Sequence, residues 1–397
     1  MALSGCDFKK QNLEKNKLQK DIYTTIKGGK LPPLMVVYKT SNNMTLEKIY
    51  NQWLSIQPLS EVDQNKLNMR FTVEYNYNSN HLEGNTLTYG QTELLLLFGK
   101  VSGEGYLKDF VDMKASQVGL KMMEEEAGAL NEPLTQNFIR QLHKTIIRED
   151  YTVYRQLPGG QQTSYTIHAG MYKTRPNSVK TRYGDIFEYA SPEETPALMT
   201  DLVDWYNESE ASGKYTPVEL AALFHYRYIR IHPFEDGNGR IARLMVNYIL
   251  VRHGWPMIVV RNRIKNEYID ALHQSDVEVG PTPSAGAHAT LIQIRHFLKY
   301  FSALVADELK YDIDFAEEQS PNVWWYDGQR IAFRSKTTAI LLKAMQANPD
   351  ITIEGLSKEA GIVTAAVKKQ LQQMINKGYI QRKEKDGSWY VFATSSI

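Results

Sequence analysis

A chain of 397 residues with 42% hydrophobic and 23% charged residues has the composition of a soluble globular protein, and its length suggests two or three domains. The formal net charge of +1 excludes a polybasic nucleic-acid binder and an acidic solvating chain, so only local charge patches carry meaning. The single cysteine, Cys6, excludes an intrachain disulfide and a cysteine-rich zinc site and fits a reducing compartment. Residues Met1 to Lys20 lack a continuous apolar segment, and runs such as Leu94 to Phe98 are far too short to span a bilayer. A cytoplasmic protein without membrane contact is the expectation.

Residues 1–65 mix scattered lysines with Gly28-Gly29 and Pro32-Pro33 before a helical stretch near Leu46 to Leu54. They read as an N-terminal extension packed on the main domain. Gly28-Gly29-Lys30 lacks the Ser or Thr and the first glycine of a phosphate loop and is read as a turn. From about Lys66 a helix carrying Phe71, Val73 and Tyr77 runs toward Ser79 and Glu83, with Gly84 as its stop. An acidic residue in a last turn opposes the helix dipole, so Glu83 asks for a cation or for solvent. Thr88 to Gln91 forms a capping box that opens the next helix, and helical patterns follow at Leu107 to Ala127 and Leu134 to Ile147. His143 in the latter reads as a core or partly exposed residue, because no metal-ligand spacing surrounds it.

Between Arg155 and Tyr189, glycines and prolines punctuate short β-branched and aromatic runs, which predicts a hairpin; a lone hairpin in a helical chain is often a functional flap. Helices then start near Ser191 and at Pro217. The second runs to Ile231 with His225 on its apolar side, read as a core histidine rather than a ligand. A polar turn follows, from His232 to Arg243, and leads into an apolar helix that ends near Gly254.

That turn carries the chemistry. Gly237 and Gly239 flank Asn238, so successive backbone N–H groups can face one concavity at a helix start, an anion site. Arg240 and Arg243, three residues apart, bring two guanidinium groups to one side of it. Asp236 adds a hard oxygen ligand that suits Mg²⁺ when phosphate oxygens and water complete the shell. His232 is the side chain able to accept a proton near neutral pH, a candidate general base. An EF-hand reading fails, since a frame with Gly239 at the invariant glycine puts Phe234 and Met245 where carboxylates are required.

His232-Pro-Phe234-Glu-Asp236-Gly237-Asn238-Gly239-Arg240-Ile-Ala-Arg243 resembles, without departure, the signature of the Fic family of the Fic/DOC fold. The resemblance covers roughly Lys66 to Tyr300. It implies a mainly α fold, a Fic-type helical bundle with a β-hairpin flap, and transfer of AMP from Mg²⁺-ATP to a Ser, Thr or Tyr hydroxyl of a target protein, which can be the chain itself. By resemblance His232 deprotonates the hydroxyl, Asp236 holds Mg²⁺, Gly237, Asn238, Gly239 and Arg240 cradle the α- and β-phosphates, Arg243 binds the γ-phosphate and Phe234 anchors the loop. Ser79-x-x-x-Glu83-Gly84 resembles the family's inhibitory motif, whose Glu pairs with the second loop arginine, here Arg243. The flap would centre on Val179-Lys180-Thr181-Arg182, although Tyr172-Lys173 stands where many relatives have Tyr-Arg. Tyr268, in a helix after the loop, matches a position beside the adenine, with a core tyrosine as the equal alternative.

Residues 307–335 read as a connector after a Fic domain at 66–306. Residues 336–397 then give three short helices and a strand pair around Asp386-Gly387, a winged helix-turn-helix pattern. Nine Lys or Arg stand against five Asp or Glu there, with Lys368 and Lys369 on the recognition helix, so contact with DNA or with protein stays open. Open too are self-association into a homodimer, removal of AMP or phosphorylation in place of adenylylation, and a DNA-binding regulator whose Fic domain is secondary.

Overall fold

The computed structural model describes residues 45–391 except 102, 157–159, 181–183, 185, 319, 327 and 383–388. Cys6, Gly28-Gly29-Lys30, Pro158-Gly159, Thr181, Arg182 and the Asp386-Gly387 turn lie outside the described residues. In chain order the helices are α1 (Leu46–Ser55), α2 (Glu61–His81), α3 (Tyr89–Phe98), α4 (Leu107–Gly128) and α5 (Gln136–Ile147). After strands β1 (Tyr151–Gln156), β2 (Gln162–Ile167), β3 (Val179–Lys180) and β4 (Ile186–Phe187) come α6 (Thr195–Ser212), α7 (Pro217–Ile231), α8 (Asn238–Arg252), α9 (Lys265–Val279), α10 (Pro283–Ala287) and α11 (Arg295–Glu317). The chain closes with β5 (Val323–Tyr326), β6 (Gln329–Ala332), α12 (Lys336–Ala347), α13 (Ile353–Ala360), α14 (Thr364–Asn376), β7 (Ile380–Arg382) and β8 (Trp389–Val391). The fold is mainly helical, and its four two-stranded sheets among the described residues are antiparallel hairpins.

The chain divides into two units. The first holds residues up to Glu61, Asn78–Glu83 and Ala115–Lys310. Its centre is the α7–α8 pair. Thr216 caps α7 with a reciprocal Glu219 box and Pro217 sits at its first turn, where a missing N–H costs nothing. Phe224, Tyr228, Ile231, Ile241, Met245, Tyr248 and Ile249 are fully buried between these helices and their neighbours. Each such side chain contributes about 1.5–3 kcal/mol of apolar burial. Helix α1 joins this unit through a flat stack of Tyr50 on Trp255, ring centres 3.9 Å apart.

The second unit holds Val62–Tyr77, Gly84–Lys114 and Tyr311 onward. Helices α12 to α14 with strands β7 and β8 form the winged helix, and Gly361 in the left-handed region turns α13 into α14. Its core of Leu342, Met345, Leu356, Val367 and Ile380 continues into Val73, Tyr89, Trp324 and Tyr326. Two features of this unit go beyond the sequence reading. Residues 307–335 are not a bare connector: α11 runs through to Glu317 and the hairpin β5–β6 builds the winged-helix core. Residues 336–397 share that core with α2 and α3, which supply part of its apolar filling. The β-branched and aromatic run Val323-Trp-Trp-Tyr has strand-favouring composition, but an Asp-Gly beside it resembled a linker turn.

Candidate active site

His232 caps α7 in the left-handed conformation, φ 50°, and its N–H closes on Tyr228 O at 2.9 Å. A non-glycine residue there is costly and persists only where neighbours impose it. Lys173 imposes it: the buried ammonium donates to Ile231 O at 3.0 Å, His232 O at 2.9 Å and Asn177 Oδ1 at 2.9 Å. Burial pulls the Lys173 ammonium down to about 7. The Asn177 amide donates to His232 Nδ1 at 2.7 Å and to Phe234 O at 2.8 Å, and the Asn238 amide approaches the same Nδ1 at 3.2 Å. Tyr189 stacks on the imidazole, ring centres 3.9 Å apart. Burial, then the charge of Lys173, lowers the imidazole to about 3, so the ring is neutral at physiological pH.

The rest of the loop is pinned from below. Phe234 is wholly buried and stacks on His143 at 3.7 Å between centres, which agrees with its expected anchoring place. His143 accepts Gly170 N–H on Nδ1 at 2.9 Å and donates Nε2–H to Asp236 O at 3.0 Å. Burial lowers it to about 4, the neutral form this pair of bonds needs. It therefore holds the loop, a role its sequence surroundings did not announce. The Asp236 carboxylate accepts Gly237 N–H at 2.6 Å and the Tyr151 hydroxyl at 2.5 Å, with Arg240 at 3.7 Å.

Helix α8 starts at Asn238 after Gly237, φ 77°, and its first internal bond is Ile241 N to Gly237 O. The N–H groups of Asn238, Gly239 and Arg240 thus precede the helical ladder, as an anion site requires. The Asn238 side chain turns inward, bonding Phe234 N at 2.9 Å and Phe234 O at 2.6 Å, so its offer to a phosphate is its backbone.

Arg243, almost wholly buried, donates to Glu83 Oε1 at 2.6 Å, Ser79 Oγ at 3.0 Å and Ser79 O at 2.8 Å. A Cβ on Gly239 would collide with the Glu83 carboxylate, so glycine is required for that close approach. Lys265 Nζ on Leu82 O and Asn262 N–H on Asn78 Oδ1 tie down the segment that carries Glu83. Gly84 takes φ 92°, which favours glycine at the helix stop. Tyr268 is buried with its hydroxyl 2.8 Å from His225 Nε2, and burial raises the phenol to about 12.

Two hairpins stand where one was expected. The six-residue pair β1–β2 carries Tyr151 to Asp236, while β3 and β4 pair Val179 with Phe187 and Lys180 with Ile186. Of the four flap residues named from sequence, Val179 and Lys180 form β3. Lys173 stood out only as a departure from the relatives' Tyr-Arg, and Asn177, Tyr189 and Tyr151 were given no role; a lysine beside an aromatic in a turn region gives no signal of the acceptors it will meet about 60 residues on.

Residues 133–250 match the Fic/DOC family, and residues 334–381 match the family described as winged helix-turn-helix DNA-binding. A Fic domain containing signaling protein from Bacteroides thetaiotaomicron is 54% identical with TM-score 0.64, over 69% of this chain and 97% of that protein. The chain belongs to the Fic/DOC family. Protein adenylyltransferase fic-1 of Caenorhabditis briggsae is 30% identical over 203 residues, 51% of this chain and 36% of the worm protein. The Nematostella vectensis protein adenylyltransferase Fic is 29% identical over 50% of this chain and 42% of its own length. The chain thus matches well under half the length of these relatives.

Proposed function

We propose that this protein transfers AMP from ATP to a Ser, Thr or Tyr hydroxyl of a target protein, itself included, and that Glu83 holds it in check. The observation that carries the reading is Arg243 closed on Glu83 and Ser79 beside a loop that otherwise offers three helix-start amides, Arg240 and a neutral imidazole. The hydroxyl oxygen attacks the α-phosphorus, the bond from that phosphorus to the bridging oxygen breaks, pyrophosphate leaves, and His232 receives the proton. Asn238, Gly239 and Arg240 hold the α- and β-phosphates through backbone N–H groups and one guanidinium, Gly237 gives the left-handed turn that aims those groups at the phosphates while its own N–H stays on Asp236, Arg243 meets the γ-phosphate once Glu83 has left, and Tyr268 lines the adenine side. Such fixed donors stabilise developing charge without reorganising.

No group of three or more metal-ligating side chains lies among the described residues, so the single partly exposed Asp236 carboxylate suits an ion completed by phosphate and water. Mg²⁺ held there would neutralise phosphate charge. Strand β3 (Val179, Lys180) and the adjoining Thr181 and Arg182 align the target segment backbone to backbone. No helix among the described residues is long and apolar enough to cross a membrane, and we assign the activity to the cytoplasm. Exposed Lys368 and Lys369 on α14 give the winged helix a DNA or protein partner, separable by a salt-dependent gel shift. A homodimer is compatible with this scheme.

The test is labelled-ATP transfer in lysate by wild type and Glu83→Gly, with mass spectrometry scoring added AMP against added phosphate. Glu83→Gly should transfer at least about tenfold faster, since each ~1.4 kcal/mol of inhibition lifted is tenfold in rate. Equal rates at saturating ATP would return Glu83 to a structural role, and phosphate in place of AMP would overturn the reaction.

A further inference from the structure

Lys173 and Asn177 have no part in the scheme above, yet they hold the His232 ring nitrogen and the carbonyls of its turn. The three donors of the Lys173 ammonium are all engaged, on Ile231 O, His232 O and Asn177 Oδ1. The last contact fixes which way the amide faces. With Oδ1 on the ammonium, the NH₂ of Asn177 must face His232 Nδ1 and the Phe234 carbonyl, and both are acceptors at 2.7 and 2.8 Å. The Asn238 amide, fixed by Phe234 N–H on its own Oδ1, presents a second NH₂ to the same nitrogen. Two donors on Nδ1 leave it no proton of its own, so the neutral imidazole carries its hydrogen on Nε2.

A hydroxyl proton cannot be accepted at a nitrogen that already holds one. We infer that Lys173 and Asn177 are positioning residues that lock His232 in the Nε2–H tautomer, and that His232 becomes a base at Nε2 only when the Asn177 amide leaves Nδ1. The inference rests on the reading of His232 as proton acceptor. Asn177 stands two residues before β3, so a strand added to that hairpin has a short covalent path to the ring. The amide cannot turn over in place, because its oxygen would then face the Phe234 carbonyl and its NH₂ the ammonium. The segment itself has to move.

The test is long-range ¹H–¹⁵N correlation of the histidine ring nitrogens in the full chain, with His232 assigned by difference from His232→Ala. Wild type at pH 7 should show His232 as the Nε2–H tautomer alone and remain neutral down to about pH 4. Asn177→Ala should give a mixture of tautomers and raise the imidazole by at least about one pH unit, because a donor to the bare lone pair of the neutral form has been removed. Lys173→Met should do the same and Lys173→Arg should restore the wild-type signature, whereas damage to packing alone would give the same result with Met and Arg. A wild-type ring bearing its proton on Nδ1, or an unchanged tautomer in Asn177→Ala, overturns the lock. Should Asn177→Ala not fold, the wild-type tautomer and the two Lys173 variants still decide. None of these readings needs AMP transfer, so an inactive Glu83→Gly would count against the proposed reaction and leave the tautomer result standing.

Discussion

The groups to which we assign the reaction come from twelve consecutive residues, His232 to Arg243, while the groups that hold them come from His143, Tyr151, Lys173, Asn177 and Tyr189, between 43 and 93 residues away for the pairs described. The first set is local because a helix start gathers phosphate donors from neighbours in sequence. The second is long-range because a strained left-handed turn and inward-facing carbonyls can only be satisfied by whatever packs across them. Chemistry can therefore be lost with the fold intact in the first set, and the second set should lose stability first.

The largest effect tests the first half of that contrast. His232→Ala should lower AMP transfer by roughly 10²–10⁴ while ATP binding, by calorimetry in the Glu83→Gly background, stays within about threefold. Transfer within a factor of about two of the parent would remove His232 from the proton path.

His143→Ala tests the other half. It deletes the stack on Phe234 and both the Gly170 and Asp236 hydrogen bonds, and a buried deletion with orphaned polar groups costs roughly 3–5 kcal/mol. Urea unfolding that places the loss below about 1 kcal/mol would mean that the loop holds its own shape, and the division drawn above would collapse.

The same division explains what could be read from sequence. Ser79 and Glu83 were legible only through a motif: charge alone said that Glu83 wanted a cation and could not say that Arg243, 160 residues on, would supply it. The cap at Thr88, the helix start at Pro217, the span of α12 to α14 and the buried face of α8 follow from periodicity and cap chemistry, which act within a few residues, and the structure has them. His143 read as an ordinary core or partly exposed histidine since its partners, Gly170 N–H and Asp236 O, are backbone groups with no side-chain identity to detect. The β5–β6 hairpin was passed over because its packing partners, Val73 and Tyr89, lie more than 200 residues upstream.

Scattered polar burial should govern the second unit as well, and Glu93 gives a pH signature for it. Its carboxyl is buried against Gln346, whose amide donates at 2.6 Å, and burial with nearby Glu74 pushes it up to about 8. The folded state therefore keeps a proton that the unfolded chain releases near 4.5, so stability falls as pH rises from about 4.5 to 8, opposite to the usual acid-denaturation trend. Glu93→Gln preserves the acceptor and removes the titration. It should raise unfolding free energy at pH 7 by on the order of 2–3 kcal/mol and flatten the slope between pH 5 and 8. An unchanged slope in urea titrations across that range would show that the carboxyl is ionised and accommodated in the folded protein.

The smallest effect sits where the two sets meet. Tyr151 belongs to the scattered set by position, but its hydroxyl donates to Asp236, a member of the loop, at 2.5 Å. Were it chiefly a packing residue, Tyr151→Phe would cost stability and leave the reaction alone. The Asp236 side chain is 40% exposed, so water can replace the lost donor and the stability change should stay within about 1 kcal/mol. What water does not replace is direction. With Gly237 N–H still on Oδ1, the hydroxyl fixes where Oδ2 points, and a carboxylate free to rotate presents a poorer ligand to a metal ion. Tyr151→Phe in the Glu83→Gly background should therefore need about threefold more Mg²⁺ for half-maximal transfer, with the rate at saturating Mg²⁺ within about twofold. A fall in the saturated rate at unchanged Mg²⁺ requirement would place Tyr151 with the reacting groups instead and move the line between the two sets into the first hairpin.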